Sequence, residues 1–319
     1  MNLDLFVENL REKYNYGANL TIFIKKLILS LIDYYGEEQQ NVILNAFYST
    51  PIVVGDITDV VEEKNDTSSN DWLSEITYDP NDPTSIFGKK PNSDERNLKY
   101  ANGGLIYWVE QEGNIPVVKR KLAVNFDIDA ILGDKDNIDI SKVGAFVHEI
   151  CHMIKTNIKK NVDGSYDLYS GINHYRVEVH DNGECELLDY NQGEGLDEAL
   201  NYIDEVMIMR KYFDSQYESK TNYKRLASII YDHISDNDMF MKSVKHSLIE
   251  GTSDWKESLG EELSEELLSL CNEHNELMLT PVILRAIGNN TLDDLKNKTS
   301  LIEERLCNIL SKLNDVKKV

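Results

Sequence analysis

The chain has 319 residues, with 56 Asp and Glu against 33 Lys and Arg, giving a formal charge of −23. An acidic surface repels nucleic acid and anionic membranes, so neither is an expected partner, whereas a cationic peptide is compatible with it. At 41% hydrophobic and 28% charged, the composition is that of a soluble globular protein, long enough for one large core or two modest ones.

The pattern is helical at first. Residues 1 to about 48 carry an apolar stripe through Phe23, Ile24, Leu27, Ile28 and Leu31, with Gly36 as a stop. A further helix runs through Val42, Ile43, Ala46 and Phe47. Residues 62 to 98 crowd Asp, Asn and Ser with Pro80, Pro83 and Pro91, which predicts a long surface loop with a short turn around Trp72. Two strand-like runs follow, Leu105–Val109 and 122 to 128, with a turn at Glu112-Gly113-Asn114.

The segment from Ile140 to Ile154 reads as one amphipathic helix, with Val143, Phe146, Val147, Ile150, Cys151 and Ile154 at helical spacing. Asp139 or Ser141 can cap its start, and Lys155 suits the negative end of its dipole. Next, residues 173 to 180 and 185 to 188 flank Asp181-Asn182-Gly183, a strong hairpin signal. Gly193 and Gly195 precede another helix, with Leu196, Ala199, Leu200, Ile203 and Val206 on its apolar face. From about residue 203 onward the chain reads as helical. Apolar repeats run through Leu226, Ile229 and Ile230; through Leu263, Leu267, Leu268 and Leu270; and through Leu292, Leu295, Ile302, Leu306, Ile309 and Leu310. Thr291 and Asp294 resemble a capping box.

Chemistry is concentrated in His148-Glu149-Ile150-Cys151-His152. Histidines four apart on a helix project from one face, where one tetrahedral metal ion can take both, and the intervening Glu can reach a water on that ion. This is the H-E-x-x-H arrangement of zinc-dependent hydrolases. Two imidazoles and a carboxylate on an otherwise apolar helix would be costly to bury without a partner. The four cysteines (Cys151, Cys185, Cys271 and Cys307) form no C-x-x-C pair and no disulfide framework. Cys151 reads as a small apolar residue rather than a ligand.

A metzincin pattern would need Gly at 155 and His at 158, but the chain has Lys155 and Ile158. The run Leu196-Asp197-Glu198-Ala199-Leu200 instead resembles the gluzincin metallopeptidases, the thermolysin-like clan. There the third ligand is a helical Glu after Leu-Asn or Leu-Asp, followed by a small residue. The resemblance implies Zn2+ held by His148, His152 and Glu198, with Glu198 standing 46 residues beyond His152. In a second register, Glu194-Gly195-Leu196 matches the family form, with Glu194 as ligand and Glu198 one turn on. Glu205 reads as an exposed helix acid, or as a hydrogen-bond partner of a ligand histidine. Where many relatives carry an acid four residues beyond the ligand, this chain has Tyr202.

The resemblance covers about residues 100 to 210. It implies an α+β fold, in which a zincin-like metallopeptidase core (a small mixed sheet, then the H-E-x-x-H helix) has N-terminal helices and a mainly helical C-terminal lobe. The expected division is 1–98 for helices and loop, 99–210 for the catalytic core and 211–319 for the lobe. It also implies a peptide or protein substrate, which can add to a sheet edge as a further strand. The chemistry is hydrolysis by a zinc-bound water that Glu149 activates. Tyr202 and His174 are candidate oxyanion stabilisers, with Tyr175 and His180, although a hydrophilic strand residue is the plain reading of the last three. The alternative function is a binding or regulatory protein that keeps the fold and has lost activity. The acidic N-terminus lacks signal-peptide features and no apolar run can span a bilayer, so a cytoplasmic location is expected.

Overall fold

The computed structural model describes residues 2–54, 103–113, 115–134, 136–180, 182–191, 193–219, 223–234, 238–251, 255–256, 260–287 and 292–315. Three helices open the chain: α1 (Leu3–Tyr14), α2 (Ala18–Tyr35) and α3 (Gln40–Ser49). Asn2 caps α1 by accepting the N–H groups of Asp4 and Leu5. The stripe legible in the sequence is the buried face of α2, which Gly36 ends. The expected loop at 62–98 and the turn at Trp72 lie outside the described residues.

β1 (Ile52–Val54), β2 (Gly103–Glu112) and β3 (Ile115–Val124) form a mixed sheet in the order β1-β3-β2. β1 runs parallel to β3, and β2 runs antiparallel to it with Val109 opposite Val118. The strand expected over 122 to 128 stops at Val124 instead. Asp127 accepts the N–H of Ala130 and starts a helix, α4 (Ile128–Gly133), because a short carboxylate satisfies a free helical N–H that a strand would not present.

Asp139 caps α5 (Ile140–Lys155), accepting from the N–H of Lys142. Val143, Phe146, Val147, Ile150, Cys151 and Ile154 are buried along it, each large apolar side chain contributing about 1.5–3 kcal/mol of transfer free energy. The chain passes directly into a second, antiparallel sheet of β4 (Thr156–Lys160), β5 (Tyr166–Ser170), β6 (Asn173–Val179) and β7 (Cys185–Asn191). β6 and β7 are the hairpin signalled by Asn182-Gly183; Asp181 is outside the described residues. Val109, Leu168, Val177 and Cys185 pack the end of β2 against this sheet.

The remainder is helical: α6 (Glu194–Tyr212), α7 (Lys224–Ile234), α8 (Asp238–Glu250), α9 (Glu261–Ile287) and α10 (Leu292–Asp315). The predicted apolar positions at 226, 229, 230, 267, 268, 270, 302, 306, 309 and 310 are buried. Thr291 and the side chains of Asp294, Leu292 and Leu295 lie outside the described set. One core cluster extends from Val7 to Leu310, so the three expected segments share a single packed interior. The fold is therefore α+β. Among the described residues, no helix is long and apolar enough to cross a membrane.

α6 lies against both α5 and α9. Its first turn fits because residue 195 is glycine: a Cβ there would sit 2.3 Å from the carbonyl oxygen of Cys271, while the Gly195 N–H donates to Asn272 Oδ1 at 3.0 Å. Gly195→Ala is expected to cost about 1–3 kcal/mol by overpacking. Urea denaturation measures this, and an unchanged midpoint would show that α6 is not seated so closely.

Candidate metal centre

Where α5 faces α6, both helices present polar side chains to each other. His148, Glu149, His152 and Lys155 come from α5; Asp197, Glu198, Asn201, Asp204 and Glu205 come from α6. His148, His152 and Lys155, like Asp197, Asn201 and Asp204, stand three or four residues apart, with Glu149, Glu198 and Glu205 each next to one of them, so each set forms a stripe along its helix. Asp197, Asn201, Asp204, Glu205 and Lys155 are buried.

His148, His152 and Glu198 each offer one donor atom, and the three atoms lie within 4.8 Å of one another. His148 Nε2 is 3.2 Å from His152 Nε2 and 3.1 Å from Glu198 Oε2, and His152 Nε2 is 3.5 Å from Glu198 Oε1. A tetrahedral ion with bonds of about 2.0–2.1 Å holds its donors about 3.3 Å apart; the His148–His152 and His148–Oε2 edges approach that length, while the His152 edge ends on the other carboxylate oxygen, and one atom from each of the three residues meets within 4.8 Å. Glu198, not Glu194, joins the histidines; Glu194 stands at the exposed start of α6.

Carboxylates back both rings. His148 Nδ1 is 3.1 Å from Glu205 Oε2, and His152 Nδ1 is 3.3 Å from Asp197 Oδ2. An ionised carboxylate only accepts, so Glu205 assigns a proton to His148 Nδ1 and directs its Nε2 toward His152, whose Nδ1 meets both Asp197 and the Asn201 amide nitrogen. The two Nε2 atoms stand 3.2 Å apart, where a proton or a cation can lie between them. Glu205 is thus not the exposed acid of the plain sequence reading. It is 2% exposed and takes a second hydrogen bond from the Tyr217 hydroxyl. Asp197 is fixed from the other side by the Ile172 N–H at 3.0 Å.

The electrostatics follow from this enclosure. Burial alone would lower the His148 pKa, but hydrogen bonds to Glu198 and Glu205 raise it to about 9. His152 is likewise raised despite burial, by Glu198 and Asp197. Burial would raise the Glu198 pKa; the two histidines reverse this and hold it well below the usual carboxylate range. The cage therefore favours positive charge between its members, whether carried by protons or by a metal ion, and metal entry would release protons.

Glu149 lies beside the cage. Burial raises its pKa, as does Glu198, while the histidines and a hydrogen bond from the Leu105 N–H pull it down. β2 passes close by: a Cβ on Gly103 would lie 3.1 Å from Glu149 Cγ. Tyr223, which the sequence did not single out, is near the same acids. Burial and the charges of Glu198, Glu194 and Glu149 push its phenol up, so it stays protonated.

The other expected residues have different neighbours. His174 stacks on Tyr169 with ring centroids 4.3 Å apart and pairs with Asp167 at 3.2 Å. The Tyr175 hydroxyl is 3.3 Å from that of Tyr107, and His180 pairs with Glu186 on the hairpin. Tyr202 is buried one turn beyond Glu198, where burial and then Glu205 raise its pKa. Cys151 is buried and free, matching the apolar reading.

The chain matches no protein-family profile, no curated protein and no solved structure. What the site can do therefore rests on its own geometry, in which three convergent donors can hold a metal ion. Titration with a divalent cation is expected to show one strong site per chain in the wild type and in Glu194→Gln. In Glu198→Gln the affinity is expected to fall at least tenfold, as losses at a metal shell do. Equal losses in both variants would break the assignment of Glu198.

Proposed function

We propose that the chain is a zinc-dependent hydrolase that cleaves peptide bonds. One observation carries this: His148, His152 and the Glu198 carboxylate each bring a donor atom to within 4.8 Å of the others, with the two Nε2 atoms 3.2 Å apart and Glu149 alongside. Two imidazoles and one carboxylate are a donor set suited to catalytic zinc, and they leave a fourth position open. His148, His152 and Glu198 would hold the ion. When bound, zinc acts as a Lewis acid on a carbonyl oxygen and lowers the pKa of water.

The chain's own groups supply the rest. Glu149 accepts a proton from the attacking water and returns it to the leaving amine. The Leu105 N–H fixes its carboxylate. Tyr223, kept protonated by burial and by the charges of Glu198, Glu194 and Glu149, is a candidate donor to negative charge that develops on the scissile carbonyl. Among the described residues β2 is an edge strand of its sheet, and its Gly103–Leu105 end borders Glu149. An extended peptide can add there by backbone hydrogen bonds. The acidic surface favours cationic peptides. The resemblance of residues 100 to 210 to gluzincin metallopeptidases supports the same reaction and a zincin-like arrangement of sheet, α5 and α6.

Glu149→Gln is expected to keep zinc and fold and to lose turnover of a peptide library by at least about 100-fold. Full turnover in zinc-replete Glu149→Gln would refute its role. A zinc-loaded wild type that binds peptides without cleaving any would favour the regulatory alternative. Tyr223→Phe is expected to reduce turnover by about 100-fold with little change in zinc affinity.

A further inference from the structure

Beyond the histidine cage lies a buried ion pair that the proposed chemistry does not use. Lys155 ends α5 and its side chain is wholly buried. Its Nζ donates to Asp204 Oδ2 at 2.6 Å and to Asn201 Oδ1 at 2.7 Å. Asp204 is also held from α2, where the Tyr34 hydroxyl donates to Oδ1 at 2.8 Å and the Tyr35 hydroxyl to Oδ2 at 2.6 Å. A buried pair of this kind gives little stability over apolar side chains of similar volume, whereas breaking it is costly. Its presence therefore calls for a role in orientation.

The orientation passes through Asn201. Lys155 has only hydrogens to offer, so the amide must turn its oxygen toward Nζ. That sends the amide nitrogen the other way, to Asp197 Oδ2 at 3.2 Å and against the His152 ring. Nδ2 is 2.8 Å from His152 Nδ1 and 3.3 Å from Nε2. Being close to both nitrogens, it lies across the ring rather than in line with either lone pair. Asn201 thus touches the ring of one histidine and the carboxylate that backs it. A Lys155 that moved, or lost its charge, would free the amide to flip, and would loosen both.

We propose that Lys155 is a positioning residue for the metal centre: locked to Asp204 by two tyrosines of α2, it fixes the Asn201 amide and through it the His152 ring. The assignment rests on the metal reading above, and it ties the N-terminal helices to the site. It also gives Lys155 a purpose beyond the helix dipole, since a dipole partner needs no burial.

The test uses zinc affinity by chelator competition, the Co2+ absorption spectrum and a thermal melt without metal, all on the full chain. The paired variant Lys155→Met/Asp204→Asn removes both charges together, so neither member of the pair is left charged and alone. Asn201→Leu cuts the relay and leaves the ion pair. Each is expected to bind zinc about 10-fold more weakly and to shift the Co2+ bands. The triple variant is expected to be no weaker than the weaker of the two, because both act on one path. Tyr34→Phe/Tyr35→Phe keeps every charge and loosens Asp204, so it tests the same path if the paired variant fails to fold; it is expected to weaken zinc binding. Wild-type affinity and spectrum in any folded variant with the Lys155–Asp204 pair removed or loosened overturns the proposal, as does multiplication of the losses in the triple variant. A wild-type chain that takes up no zinc overturns the metal reading and this role with it. Zinc-binding wild type with unaffected variants overturns this role alone.

Discussion

Two imidazole nitrogens face each other across 3.2 Å at the crossing of α5 and α6, and each ring has its other nitrogen held by a buried carboxylate. Neither ring can turn away without leaving Glu205 or Asp197 unpaired in the interior, which costs several kcal/mol for a charged group. The nitrogens are therefore placed where a proton or a metal ion can be shared between them. Glu198 closes the third side, and its depressed pKa keeps it charged for that purpose. Most of the surrounding structure serves to keep this crossing fixed.

The packing shows how. Apolar residues of α5 fill the core on the faces away from the histidines, so the helix cannot rotate without exposing Phe146 or Ile150. α6 is set on its other side by the close approach of Gly195 to the Cys271 carbonyl. Tyr217 reaches back from beyond α6 to hold Glu205, and Tyr34 and Tyr35 reach from α2 to hold Asp204. α2, α5, α6 and the segment after α6 that holds Tyr217 thus end their polar groups on one buried network.

Much of this was legible in the sequence. The helices, the β6–β7 hairpin and the His148–His152 pair follow from periodicity, a turn dipeptide and four-residue spacing. The supporting shell was not. Asp197, Asn201, Asp204 and Glu205 recur at helical spacing just as a hydrophobic stripe does, but charged stripes are ordinarily solvated, so Glu205 read as exposed. Lys155 read as a dipole partner for the same reason. Only a second stripe on α5 of opposite charge makes the burial intelligible, and which stripes meet is a tertiary fact. Tyr223, on which the charges of Glu198, Glu194 and Glu149 act, stands just before α7 and about 25 residues beyond Glu198, with no local pattern to mark it. The strand end at Val124 was missed because Asp127 caps a helix too short to show a periodic face.

The most direct measurement of the central claim is X-ray absorption at the zinc edge of the zinc-loaded chain. Two imidazoles and a carboxylate should give a shell of nitrogen and oxygen at about 2.0–2.1 Å, with the outer scattering of two histidine rings. A shell containing sulfur at about 2.3 Å, or histidine scattering unchanged when His148 and His152 are both replaced, would contradict the proposed metal centre.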